Sequence, residues 1–230
     1  MGHLINIANL EKSFHGRKVL DNINLSVDKS ERIAIIGPSG SGKTTLLRII
    51  SGLETPSQGI VEIQTHNIGY VFQEPRLIPW RNVEENLLFV KQDADLEDIL
   101  AKIRLQGYKK HYPHQLSGGM KQRVNLARAL ITNPDLLIMD EAFSSLDLPI
   151  KLGIINDVLS QWQERGFTML IVTHDLKEAL LLADRIVILS SSPGQIVEDM
   201  SLDLELNRKI SDPALLKLEA DILHILSNVY

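Results

Sequence analysis

The stretch Gly37-Pro38-Ser39-Gly40-Ser41-Gly42-Lys43-Thr44-Thr45 leaves a chain few ways to fold, because it fills every constrained position of the phosphate-binding pattern G-x-x-x-x-G-K-[ST]. That pattern works only between a strand and a helix. The apolar run Arg32-Ile33-Ala34-Ile35-Ile36 precedes it and Leu46-Leu47-Arg48-Ile49-Ile50 follows, so the spacing predicts a buried strand, a loop and a helix in that order. Glycines at 37, 40 and 42 open backbone angles closed to other residues, which lets successive N–H groups converge on phosphate oxygens in front of the positive helix end. Lys43 is then expected to reach the β- and γ-phosphates of a nucleotide, and the Thr44 hydroxyl to ligate Mg²⁺. A Gly/Ser turn that happens to carry a lysine would not require the flanking strand and helix.

The rest of the chain reads as an α/β protein. Residues 4–8 and 19–27 alternate apolar and polar positions, predicting half-buried antiparallel strands with Phe14 between them. A turn at Pro56-Ser57-Gln58-Gly59 leads into short strands at 60–63 and 68–72, the second ending at Gln73. From Val83 to Leu130 the β signal gives way to helical patterns at 83–90, 96–105 and 120–130. Strand 135–140, helix 148–163, strand 168–173, helix 176–182 and strand 185–189 then alternate, which implies a parallel sheet covered by helices. From Pro213, Leu215, Leu218, Ile222, Leu223, Ile225 and Leu226 recur at helical spacing and predict an amphipathic cover. The expected organisation is one domain over 1–230, with a core of 1–82 and 133–205, a helical subdomain at 83–132 and a C-terminal helix within 206–230.

Composition narrows the chemistry. With 230 residues and 44% hydrophobic content the chain can bury a substantial core. The absence of cysteine excludes disulfides, thiolate metal sites and cysteine nucleophiles, and a net charge of −5 argues against a broad nucleic-acid-binding surface. No apolar run reaches the roughly eighteen residues of a membrane span and no export signal opens the chain, so a cytoplasmic location is expected. Asn6 stands where N-myristoylation requires Ser or Thr. His111 and His114, without cysteine or a nearby carboxylate, read as loop residues, and Lys109-Lys110 most simply as a solvated face.

Two further stretches carry candidate chemistry. Asp140 follows four apolar residues, so its carboxylate is expected at the carboxyl end of a buried strand, where it can hold Mg²⁺. Glu141 would point the opposite way if strand geometry persisted, and could take a proton from an attacking water. In Leu116-Ser117-Gly118-Gly119-Met120, Ser117 is placed to cap a helix running through Leu130. The residues alone leave open whether this is only a capped helix or a second anion site. His174 and Phe14 are equally open, as a polar strand end and a core aromatic.

Together, the phosphate loop, Leu116-Ser117-Gly118-Gly119-Met120, Asp140-Glu141, Ser144-Ser145-Leu146-Asp147 and Thr173-His174-Asp175 resemble, in order and spacing, the ATPase subunit of ABC transporters. The resemblance covers essentially the whole chain, and Leu-Ser-Gly-Gly is specific to that family. It implies a RecA-like P-loop NTPase core with an antiparallel β subdomain and an inserted helical subdomain. It further implies ATP and Mg²⁺ as ligands and a head-to-tail dimer in which Ser117, Gly118 and Gly119 of one subunit close over the ATP held by Lys43 of the other. By the same resemblance Glu141 is the catalytic base, His174 contacts the γ-phosphate and the attacking water, and Gln73 contacts Mg²⁺ or water. Asp147 links the two sites, and Phe14 stacks on adenine.

Departures are mild: Ser30-Glu31 replaces the usual Gly-Glu, Ser145 stands where alanine is frequent, and Thr44 replaces the commoner serine. Gln73-Glu74-Pro75-Arg76-Leu77-Ile78-Pro79-Trp80 forms a stiff turn in which Arg76, Leu77 and Trp80 are expected to make one compact apolar-cationic group. In the family this segment meets a coupling helix of the membrane subunit, and its form here is similar to that in importers of nitrate, aliphatic sulfonates and taurine. The resemblance therefore implies a homodimer at the cytoplasmic face of the inner membrane, bound to two integral permease subunits and served by a solute-binding protein. A soluble ABC ATPase acting on nucleic acid or ribosomes is the alternative. Such chains usually carry a long coiled coil or two ATPase units, and this sequence shows neither.

Overall fold

The computed structural model describes residues 2–144, 146–206 and 208–229. Met1 of the rejected acylation pattern and Ser145 of the 144–147 motif lie outside the described residues. In chain order the elements are β1 (Ile5–Phe14), β2 (Arg17–Val27), β3 (Arg32–Ile36), α1 (Lys43–Ile50), β4 (Gln58–Ile63), β5 (Ile68–Val71), α2 (Val83–Leu88), α3 (Leu96–Lys102), α4 (Gly118–Leu130), β6 (Leu136–Asp140), α5 (Leu148–Arg165), β7 (Thr168–Val172), α6 (Leu176–Leu182), β8 (Arg185–Leu189), β9 (Ile196–Ser201) and α7 (Pro213–Val229). They gather into two compact units, one running through His66 and resuming at Thr168, the other spanning Asn67–Phe167.

In the first unit β1 lies between β2 and β4, antiparallel to both, with Ile5 opposite Val27 on one side and Ile63 on the other. The alternation expected at 4–8 changes phase at an irregularity around Asn9, where φ is 50°, so that the buried positions pass from Ile5 and Ile7 to Leu10 and Lys12, and the strand runs on to Phe14 as its last residue. Beside this sheet run β7, β3 and β8, parallel to one another. Every residue of β3 and β7 is buried, which explains why these strands read as unbroken apolar runs rather than alternating ones. β9 adds antiparallel to β8 and escapes sequence reading, because Glu198 and Asp199 dilute its β signal. Those acids suit an edge strand, where charge discourages further pairing, and Asp199 is bound twice by the Arg185 guanidinium at 2.6 and 2.7 Å. α7 buries Leu215 and Ile222 as its spacing requires, whereas Leu223 is 52% exposed.

In the second unit β5 and β6 pair in parallel, Ile68 opposite Leu136. A Cβ at Gly69 would stand 2.5 Å from the Ala129 carbonyl oxygen, so this glycine sets how closely β5 meets α4. α2 opens on a full capping box, the Asn82 side chain accepting from the Glu85 amide and the Glu85 carboxylate accepting from the Asn82 amide, each at 2.9 Å. Val83, Leu87, Leu100, Ile103, Leu116 and Val124 then form one apolar cluster, to which Leu77 also contributes. The lysine pair is not simply solvated: Lys109 bridges Glu84 and Glu97, and Lys110 pairs with Glu84, so the two cations tie α2 to the segment leading into α4.

Candidate nucleotide-binding and hydrolysis site

On the first unit the phosphate loop begins where β3 ends and closes into α1, as its sequence demands. Gly37, Gly40 and Gly42 all have positive φ, at 156°, 82° and 90°. Two of them are also approached closely: an added Cβ would lie 2.7 Å from the Leu189 carbonyl oxygen at Gly37 and 2.6 Å from Leu20 at Gly42. Pro38 and Ser41 are buried, Ser39 and Gly40 exposed, Thr44 exposed and Thr45 half-buried. Lys43 is 7% exposed, and its Nζ donates to the carbonyls of Gly37 at 2.9 Å and Pro38 at 2.8 Å. Those bonds satisfy the two carbonyls and hold the ammonium within the loop, at the positive end of α1.

Phe14 and His174 belong to the same unit, both exposed. His174 sits between β7 and α6 in a tightly determined turn. The Thr173 hydroxyl donates to Glu178 Oε2 at 2.5 Å and accepts from the Asp175 amide at 3.0 Å, while Asp175 caps α6 through the Lys177 amide.

The second unit carries Gln73, Ser117, Gly118, Gly119, Asp140, Glu141 and Asp147. β6 ends at Asp140, and Glu141 turns left-handed with φ 47°, so strand geometry does not persist to it. A non-glycine residue in that region is strained, and such strain gathers at functional sites. The consequence is directional: the Gln73 Nε2 donates to Glu141 Oε2 at 3.3 Å and to the Ser144 hydroxyl at 3.3 Å. Asp140 is buried, and the Tyr70 hydroxyl donates to its Oδ2 at 3.1 Å. Sequence reading placed Gln73 and Glu141 in one site without foreseeing that they touch, and it missed Tyr70, whose position two residues before Phe72 carries no motif.

Ser117 caps α4 as expected, its hydroxyl accepting from the Met120 amide at 3.3 Å. Ser117 and Gly118 are exposed, whereas Gly119 is buried, a Cβ there coming within 2.6 Å of Ile150 in α5. Asp147 is exposed at the N-cap of α5 with no capping bond from its side chain. Gln122, in the first turns of α4, donates to the carbonyls of Ala142 at 2.5 Å and Phe72 at 3.3 Å, and Asn125 also reaches the Phe72 carbonyl at 2.9 Å. The helix that carries Ser117 thus holds the residues flanking both Gln73 and Glu141. Within 73–80 the expected compact group does not form. Arg76 stacks on Phe72 with 4.3 Å to the ring centroid, Leu77 packs on the helical cluster, and Trp80 stands 77% exposed. A surface cavity lined by Trp80, Arg81, Glu85, Leu88, Phe89 and Gln92 opens there instead.

The candidate metal donors, a Thr44 hydroxyl, a Gln73 amide oxygen and an Asp140 carboxylate, are all hard oxygens. Thr44 lies on the first unit and Gln73 and Asp140 on the second, and each by itself offers the donor type that Mg²⁺ takes.

A family model described as "ABC transporter" matches residues 20–144. The chain is 42% identical to the aliphatic sulfonates import ATP-binding protein SsuB 2 of Pseudomonas syringae pv. tomato, over 92% of this chain and 93% of that protein. It is 37% identical to the taurine import ATP-binding protein TauB of Escherichia coli, over 99% and 97%. Among solved structures it resembles the dimeric, post-hydrolysis state of the ATP-binding cassette MJ0796 bound to ADP and Pi, with TM-score 0.77 and 30% identity over 87% of this chain and all of that one. With the family model, the full-length relatives and the fold in agreement, the chain belongs to the ABC transporter family.

Proposed function

We propose that this chain is the ATP-hydrolysing subunit of an importer for a small anionic solute, of the sulfonate, taurine or nitrate kind. It works as a homodimer docked on two integral membrane subunits at the cytoplasmic face of the inner membrane, with a solute-binding protein delivering the cargo. The observation that supports the hydrolytic reading is the hydrogen bond from Gln73 to Glu141, which joins the proposed base to the residue proposed to contact Mg²⁺ or water. The solute class rests on relatives named for sulfonate and taurine import that match this chain over more than nine-tenths of its length.

Each residue has a stated task. Gly37 to Thr45 wrap the triphosphate with backbone N–H groups, and Lys43 neutralises its β- and γ-oxygens. Phe14 stacks on the base, a contact that tolerates any purine and so does not by itself select ATP over GTP. Ser117, Gly118 and Gly119 of the partner subunit supply a capped helix N-terminus to the γ-phosphate, and the partner's Asp147 joins the two sites. Thr44, Gln73 and Asp140 would hold Mg²⁺, which when bound neutralises charge on the phosphate oxygens. Glu141 accepts a proton from water as the water oxygen bonds to γ-phosphorus and the bond to the ADP oxygen breaks, while His174 hydrogen-bonds the γ-phosphate and the attacking water. Closing the dimer completes the site, and hydrolysis reopens it.

Replacing Glu141 with Gln tests this. The amide keeps the size and the Gln73 neighbour but cannot accept the proton, so turnover should fall by about 10² to 10⁴ while ATP still binds. Size-exclusion chromatography with ATP should show the variant held as a dimer. Wild-type phosphate release from Glu141→Gln would remove the assigned base.

A further inference from the structure

Lys12 is a buried charge that the phosphate chemistry does not use. It is 7% exposed, and its Nζ donates to Glu54 Oε1 at 2.8 Å and to the Thr55 carbonyl at 2.7 Å. The same ammonium stands 4.6 Å from the centroid of the Phe14 ring. Burying an ammonium is costly unless oxygens or an aromatic face replace its water, and here both do. The two oxygens determine where the nitrogen sits, and the nitrogen then determines which ring face is taken.

Phe14, at the end of β1, remains 40% exposed. A ring with a cation on one face has only its other face to offer a ligand. Its π density is also drawn toward the charge, which relieves the repulsion that two electron-rich faces meet when they stack. A purine is such an electron-rich face.

We propose that Lys12 is a positioning residue of the nucleotide site: it holds Phe14 as a one-faced platform for the purine and so strengthens the contribution of the base to ATP binding. This rests on the reading of Phe14 as the base-stacking residue, and it adds a residue two positions upstream that acts through the ring rather than on the nucleotide.

The test compares two ligands by titration calorimetry on the full chain without Mg²⁺, so that nothing is hydrolysed. ATP engages the base platform and the phosphate loop, whereas inorganic tripolyphosphate engages the loop alone. Phe14→Ala is expected to weaken ATP binding by about tenfold and leave tripolyphosphate within about twofold. Lys12→Met should weaken ATP by about three- to tenfold with tripolyphosphate again unchanged, and should have no further effect in the Phe14→Ala background. Lys12→Arg, which keeps a cation on the ring, should restore the ratio. Should Lys12→Met fail to fold, Lys12→Gln serves, since its amide can still donate to Glu54 and Thr55 while removing the charge. An equal loss for both ligands, an undiminished effect in the Phe14→Ala background, or no loss of ATP affinity overturns the proposal. An unchanged ligand ratio in Phe14→Ala itself overturns the base-stacking reading and the proposal with it, a different result from a ratio that moves in Phe14→Ala alone.

Discussion

Gly194 has no side chain, and the phosphate loop leans on it for that reason. A Cβ there would stand 2.0 Å from the Ser41 carbonyl oxygen, a backbone atom that cannot swing aside. Its amide donates to the Val19 carbonyl at 2.8 Å and its carbonyl accepts from the Asp21 amide at 3.0 Å, so Gly194 cannot retreat without breaking the bonds to β2. Replacing Gly194 with Ala should therefore push the loop rather than the turn, at a cost of about 1–3 kcal/mol, the usual range for overpacking. Calorimetry should show ATP and tripolyphosphate weakened alike, in contrast to the base-specific loss expected at Lys12. Equal wild-type affinities would mean that the loop is not supported from this side. In the sequence, Pro193-Gly194 marks a turn and nothing more, because the atom it must avoid lies some hundred and fifty positions away. Glu141 teaches the same at closer range: an Asp-Glu pair after an apolar run locates a strand end, but the left-handed turn that aims the second carboxylate at Gln73 has no local residue signal.

Among the elements, the helices were legible where side chains close onto neighbouring backbone. Ser117 caps α4 through the amide three residues on, as its position predicted, whereas the matching Asn82–Glu85 capping box of α2 emerged only in the structure. The links between elements were not legible. The Glu84 carboxyl is held below its ordinary value of 4.5, first by a hydrogen bond from Lys110, with burial opposing and the charge of Lys109 assisting. A carboxyl lowered in the folded chain stabilises it above the unfolded value, and that stabilisation is lost as pH falls through the folded value. Glu84→Gln is thus expected to lower Tm at pH 7 by less than about 4 °C, the scale of a single surface network, and to match the wild type once pH drops well below 4. Thermal unfolding followed at both pH values would show it; a gap that persisted in acid would assign the loss to packing instead of charge. β9 went unread because its acids, suited to an edge, mask the alternation that would reveal a strand.

For the molecule as a whole, the question is how nucleotide chemistry reaches a membrane. Among the described residues no helix is long and apolar enough to cross one, and the proposed importer would couple through an exposed surface of this chain. Trp80 is the residue to test, because it is 77% exposed and Arg76 and Leu77 have turned inward and left it on the surface. Trp80→Ala should leave Tm within the small scatter of surface substitutions, about 0.5 kcal/mol, and keep the ATPase rate of the isolated subunit. Solute uptake by the reconstituted transporter should fall at least about tenfold, the cost of removing a buried aromatic anchor from an interface. Unimpaired uptake would place the coupling contact elsewhere. By itself the sequence determined the phosphate loop, the Ser117 cap and the buried strands, which depend on residues close together in the chain, and the family, which depends on the order and spacing of several such local motifs. Only the tertiary structure decided that Lys12 lies against Phe14, that Gly194 supports Ser41, that Gln73 meets Glu141 and that Trp80 is left exposed. Each of these is set by which surfaces the packed elements bring within a few ångströms, and that distance is not written in any local stretch of residues.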